Sequence, residues 1–97
     1  MNIGICKIRL RLPENQSLKG KRQVLKSITT RIRNKFNVSV AEVDDQDLWQ
    51  LITIGISCVS NSGQHANEIL SHVVDFVVQS RLDAELLDYE IEILPVA

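Results

Sequence analysis

The chain has 97 residues, of which 44% are hydrophobic and 24% charged, and its formal net charge is -1. That length holds one domain, residues 1–97, with a modest core, and that balance excludes a disordered tail. No basic region followed by an apolar core opens the chain, and the uncharged residues 48–66 include Gln, Asn, Ser, His and Gly, so neither a signal peptide nor a membrane span is expected and the expected location is the cytoplasm. The near-zero charge conceals an asymmetry. Residues 1–36 carry ten Lys or Arg and one acid, whereas residues 37–97 carry one basic residue and eleven acids.

Residues 3–12 alternate with period 2, which predicts a strand. Gly4, Cys6, Ile8, Leu10 and Leu12 share the face to be buried. Ile3, Ile5, Lys7, Arg9 and Arg11 share a face too cationic to be a second core. Residues 13–16 turn the chain, and Ser17 is a suitable N-cap for a helix over about 18–36. Its apolar stripe is Leu18, Val24, Leu25, Ile28, Ile32 and Phe36, with Gly20 on the solvent side and Asn37, tolerant of left-handed backbone angles, as its end.

A second strand is expected over 38–43 and a third over 49–59, with Ile52, Ile54, Ile56 and Cys58 facing inward. Leu51, Thr53, Gly55 and Ser57 form the opposite, uncovered face. After a turn at 60–63, residues 64–79 form a second amphipathic helix built on Ala66, Ile69, Leu70, Val73, Phe76 and Val77. Residues 80–83 turn the chain into a last strand over 84–94. There Leu87, Tyr89, Ile91 and Ile93 take one face and Leu86, Asp88, Glu90 and Glu92 the other. Cys6 and Cys58 are read as buried, reduced thiols.

The order βαββαβ, with one apolar face per strand and one stripe per helix, predicts an α+β ferredoxin-like sandwich. Four antiparallel strands carry both helices on one face, and right-handed crossovers place the first and third strands centrally. Lys7, Arg9 and Arg11 then meet Asp88, Glu90 and Glu92 across the open face.

Ser17-Leu18-Lys19 followed by Lys21-Arg22, the run from Phe36 to Asp44, and Gln46-Asp47-Leu48-Trp49-Gln50 together resemble the signatures of the YlxP-like family of small bacterial proteins, a domain of unknown function. The resemblance spans nearly the whole chain. It implies a ferredoxin-like fold, dimerisation and, through neighbouring genes for translation initiation and ribosome maturation, a role around the ribosome. Gly20 stands where an acidic residue is common in that family and Asp45 where histidine is common. A histidine-dependent activity at the second position is therefore not expected here.

Residues 37–50 hold the only Trp and a cluster of carboxylates and amides: Glu42, Asp44, Asp45, Gln46, Asp47 and Gln50. Such a cluster can ligate a hard cation, support acid–base chemistry, or pin a loop by hydrogen bonds. With no EF-hand spacing and no glycine at the turn, it is read as a conformational or interaction loop, with Trp49 as its packing anchor. His65 and His72 are seven residues apart on a helix, about 10 Å, too far for one metal. No CxxC, HExxH, Ser-His-Asp or phosphate-loop signature occurs. No catalytic residue, metal or cofactor is therefore assigned, and the protein is read as non-enzymatic.

Two interaction readings follow. One is a homodimer through the open sheet face, with Ile3, Ile5 and Leu51 as its apolar contacts. The other is contact with structured RNA or the small ribosomal subunit, with Lys19, Lys21, Arg22, Lys26 and Arg33 of the first helix meeting phosphates. Stacking on single-stranded bases is not expected, because the strand faces lack aromatic residues.

Overall fold

The computed structural model describes residues 1–80 and 83–97. Its elements are β1 (Asn2–Arg11), α1 (Leu18–Lys35), β2 (Ser39–Asp44), β3 (Leu51–Ser60), α2 (Gly63–Ser80) and β4 (Glu85–Pro95). They form one antiparallel sheet of order β2-β3-β1-β4, with β1 and β3 central, which is the ferredoxin-like arrangement. The expected turn at residues 80–83 includes Arg81 and Leu82, which lie outside the described residues.

The core lies between the sheet and the two helices. Ile8, Ile52, Ile54, Ile32, Ala66, Leu70 and Val73 are each 0% exposed. At one point the packing is closest. A β-carbon built on Gly4 would lie 2.8 Å from Leu70 Cδ1 and 3.0 Å from Cys58 Sγ, so the absence of a side chain there lets α2 sit down on β1. Across the far end of the helices, the Phe36 and Phe76 rings meet edge to face at 5.6 Å, and Lys35 Nζ lies 4.8 Å over the Phe76 ring.

Three local readings of the sequence need correction. First, α1 ends in extended backbone at Phe36 (φ -125°), and among the described non-glycine residues only Asp45 has a positive φ, so Asn37 is not a left-handed cap. Secondly, β4 shifts register between the partners of Arg9 and Leu10: Arg9 faces Asp88, but Leu10 faces Leu86 and Arg11 faces Glu85. Leu87 is the extra residue. The bulge moves Leu86 to the helix side and puts Glu85 in its place beside Arg11, while Glu92 stands opposite Ile5 and meets none of the three cations. The resulting pairs, Arg9–Asp88 at 3.1 Å and Arg11–Glu85 at 4.0 Å, are solvent-exposed and contribute about 0–1 kcal/mol each. Thirdly, Thr53 is 2% exposed rather than part of an uncovered face. A second bulge, at Val43, lets Asp45 fold over it.

Cys6 and Cys58 are free and buried on the core face. Burial pushes the Cys6 thiol up to about 11 and raises Cys58 as well. Folding therefore favours the protonated thiols. The stability linked to them is complete below the ordinary thiol value and declines as pH rises through the folded value of about 11 for Cys6. At pH 8 a disulfide reagent should label neither cysteine of the native protein within the time in which both react in denaturant. Fast native labelling would contradict the burial.

Candidate functional site

The antiparallel topology brings the β1–α1 turn and the β2–β3 loop to the same end of the sheet. They are stitched together. Leu12 N donates to Gln50 O at 2.8 Å, and the Gln50 amide donates to Pro13 O and Asn15 O at 3.3 and 3.2 Å. The Asn15 amide donates to Ser17 O at 2.8 Å and to Trp49 O at 2.6 Å. Asn15 leaves no room at Gly20, whose β-carbon would collide with the Asn15 side-chain oxygen. Gly20 thus packs beneath the turn rather than facing open solvent.

Beneath the joined loops lies Lys21, only 1% exposed. Its Nζ donates to Asp45 O at 2.5 Å and Gln46 O at 3.3 Å. Glu42 Oε2 stands 3.1 Å away as the counter-charge, outside hydrogen-bond angles, and that buried oxygen has no other hydrogen-bond partner. An ammonium out of water is tolerable only when paired and hydrogen-bonded, and here the loop backbone and Glu42 supply both. Lys21 must therefore be removed from the exposed basic row of α1.

Above Lys21, Asp45 closes the loop. Its backbone is left-handed (φ 59°), a region that Asp, Asn and His adopt more readily than bulkier residues. Its Oδ2 accepts from the Thr53 hydroxyl at 2.6 Å, its carbonyl accepts from Leu48 N at 3.1 Å, and its N–H donates to Asp44 Oδ1 at 2.8 Å. Asp44 and Asp45 thus act through hydrogen bonds that fix the loop. Its carboxylates do not converge: among the described residues no group of three or more His, Cys, Asp or Glu side chains could hold a metal ion. The tip itself is open. Trp49 is 53% and Leu48 47% exposed, so the indole is not the packing anchor expected from the sequence; the Trp49 carbonyl, not its ring, ties the loop down.

On α1, Lys19, Arg22 and Lys26 are exposed at spacings of three and four, on one side of the helix, and enter no ion pair among the described residues. Arg33 is committed elsewhere: its Nη2 donates to Val40 O on the edge strand at 2.8 Å.

Among the described residues, no element covers the sheet face away from the helices. Its cross-strand rows run Val59–Ile3–Leu94, then Ser57–Ile5–Glu92, then Gly55–Lys7–Glu90, and finally Leu51–Arg11–Glu85. Apolar side chains gather at the first rows, with Val59 68%, Ile5 38% and Leu94 38% exposed. Leu51 shares this face but lies eight positions along β1 from the Ile3 row, about 26 Å away. Beside Ile5 and Lys7 is a groove of about 700 Å³, floored by Gly55, Ser57 and Ala41 and walled by Val43 and Arg33.

A family model described as "Protein of unknown function (DUF503)" matches residues 3–91. The chain belongs to this family. The "Uncharacterized protein YlxP" of Bacillus subtilis (strain 168) is 43% identical to the DUF503 chain over 75 residues, 77% of this chain and 82% of that protein. The YlxP-like resemblance is thereby established.

Sequence reasoning missed three contributors to these surfaces: Asn15, Val59 and Leu94. Leu94 and Val59 could have been found by extending the alternation of β3 and β4 by one pair beyond Ile5. The burial of Lys21 was also legible in principle, since 21, 25, 28 and 32 follow the helical repeat of the apolar stripe.

Proposed function

We propose that this DUF503 protein is a non-enzymatic interaction module that works as a homodimer, two copies packing through the open faces of their sheets. The observation that carries the reading is the uncovered row Val59–Ile3–Leu94 with Ile5 beside it. Four strands about 4.8 Å apart and about 33 Å long present roughly 600 Å². Stable complexes bury about 800 Å² per partner, so the whole face and its rim are needed, not the apolar end alone.

Shape supports one geometry. β1 is a ridge carrying Ile5 and Lys7, and the small residues beside it form the groove. A two-fold axis along the strands, between β1 and β3, lays the ridge of each copy into the groove of the other at matching level: Ile5 over Ser57, Lys7 over Gly55, Ile3 over Val59. Glu90 and Glu92 then face β2 of the partner copy, where Arg33 lines the groove. A perpendicular axis centred on the face would instead stack the cationic run of Lys7, Arg9 and Arg11 on its own copy. Light scattering after size exclusion tests this. The wild type should elute at twice the 11.0 kDa of one chain. Val59→Glu and Ile5→Glu should elute as single chains, and Leu51→Glu should shift the equilibrium less. A dimer unaffected by the first two variants would place the interface elsewhere.

The second reading, contact with structured RNA, is supported by Lys19, Arg22 and Lys26, exposed on one side of α1. Three phosphate contacts predict weak binding that falls as salt rises from about 50 to about 200 mM, with a logarithmic slope of about -3. Lys19→Glu, Arg22→Glu and Lys26→Glu together should abolish it; retention of binding to a structured RNA or to small ribosomal subunits would move the site off α1.

A further inference from the structure

The tip of the β2–β3 loop combines two properties that rarely coincide. Its side chains are apolar and exposed, yet its backbone is fixed: Lys21 holds Asp45 O and Gln46 O, Thr53 holds Asp45, and Asn15 holds Trp49 O. A buried ammonium and a left-handed Asp45 are a costly way to present Leu48 and Trp49 to solvent. A rigid aromatic knob, by contrast, loses little conformational freedom on binding, and Trp is prominent among residues that dominate interface energies.

Beside the indole is a shallow depression of about 520 Å³ lined by Asp47, Leu48, Trp49, Gln50 and Leu51. Asp47 is its only ionised group, and it enters no ion pair among the described residues. The flat apolar ring with a free carboxylate next to it defines the ligand. We propose that this tip docks an arginine-bearing segment of another protein, the guanidinium stacking on the Trp49 indole and donating to the Asp47 carboxylate. Arginine fits both features at once: its planar, weakly hydrated cation stacks on aromatic faces and pairs bidentately with carboxylates, which an ammonium does not. The surroundings disfavour nucleic acid on the same ring. A phosphate backbone following a stacked base would meet Asp47 and, on the same loop, Asp44. The site adjoins the proposed dimer face at Leu51, but Asp47, Leu48 and Trp49 precede β3, at the end remote from Val59 and Ile3.

Trp49 is the only tryptophan in the chain, so its own fluorescence reports on the site. The probe is an acetylated, amidated peptide, Gly-Ser-Arg-Leu-Arg-Ser-Gly, titrated into the full chain at about 150 mM salt. A saturable change in Trp49 emission is expected, with binding about 5-fold weaker for the same peptide carrying lysines. Anisotropy of the labelled peptide should show a comparable loss with Asp47→Asn and no saturable binding with Trp49→Ala. Both altered residues are exposed, so both variants should keep the wild-type far-ultraviolet spectrum. Val59→Glu should bind the peptide as the wild type does, whatever its state of association. Equal affinity for the lysine peptide, binding retained by Trp49→Ala, quenching by oligouridylate in preference to the peptide, or no saturation would each overturn the proposal.

Discussion

Replacing Lys21 by methionine should destabilise the protein by about 3 kcal/mol or more, lowering Tm by about 12 °C or more. Methionine keeps most of the stem and leaves the helix propensity almost unchanged, so the loss isolates the ammonium. That ammonium is 1% exposed and holds three groups: the Asp45 and Gln46 carbonyls and the Glu42 carboxylate. Without it, Glu42 Oε2 is left as a buried charge with no partner. Removing one member of a buried pair is costly for this reason, while replacing both by apolar groups restores much of the loss. Lys21→Met combined with Glu42→Leu should therefore be more stable than Lys21→Met alone. Urea unfolding followed by circular dichroism measures both. Trp49 anisotropy should fall in Lys21→Met before any global unfolding, because the loop loses its support. A single variant within about 0.5 kcal/mol of wild type would mean that Lys21 is not buried in solution.

Gly4→Val should destabilise the protein by about 3 kcal/mol. Even the first carbon of a side chain there would meet Leu70 Cδ1 at 2.8 Å, Cys58 Sγ at 3.0 Å and the Ala66 β-carbon at 3.3 Å. Leu70 is 0% exposed, and its own truncation to alanine should cost about 2–5 kcal/mol through the cavity left behind. The two changes compensate in volume. The double variant Gly4→Val, Leu70→Ala should therefore be more stable than the sum of the single effects by at least about 1 kcal/mol. Strict additivity in denaturant unfolding would mean that β1 and α2 do not touch at this point.

The parts of this fold that follow a fixed repeat are legible in the sequence, and those set by single residues are not. The alternation of Cys6, Ile8 and Leu10, and of Ile52, Ile54 and Ile56, leaves one register in which each strand hides its apolar side, and the sandwich follows. The bulge at Leu87 is invisible because Leu86 and Leu87 are both apolar, so either can take the helix side. Thr53 reads as an open-face residue until Asp45 folds over it, and that depends on a second bulge and a left-handed turn. At the loop, the acidic residues were recognisable as a cluster that pins a turn, but the cation beneath it was not. Lys21 lies on the apolar repeat of α1, yet its charge argues for solvent, and only the carbonyls of a loop 24 residues away reverse that preference. Trp49 misled in the other direction: a lone Trp suggests packing, but its carbonyl is the anchor and its ring is free.

The proposed dimer is tested most directly by an isotope-filtered NOE spectrum of an equal mixture of labelled and unlabelled chains. Only contacts between copies survive the filter, so the proximity of Ile5 and Ser57 within one chain does not interfere. Cross-peaks should run from the Ile5 and Lys7 side chains of one copy to Ser57 and Gly55 of the other, and from Ile3 to Val59. An empty spectrum, or one confined to residues of α1 and α2, would contradict association through the open sheet face.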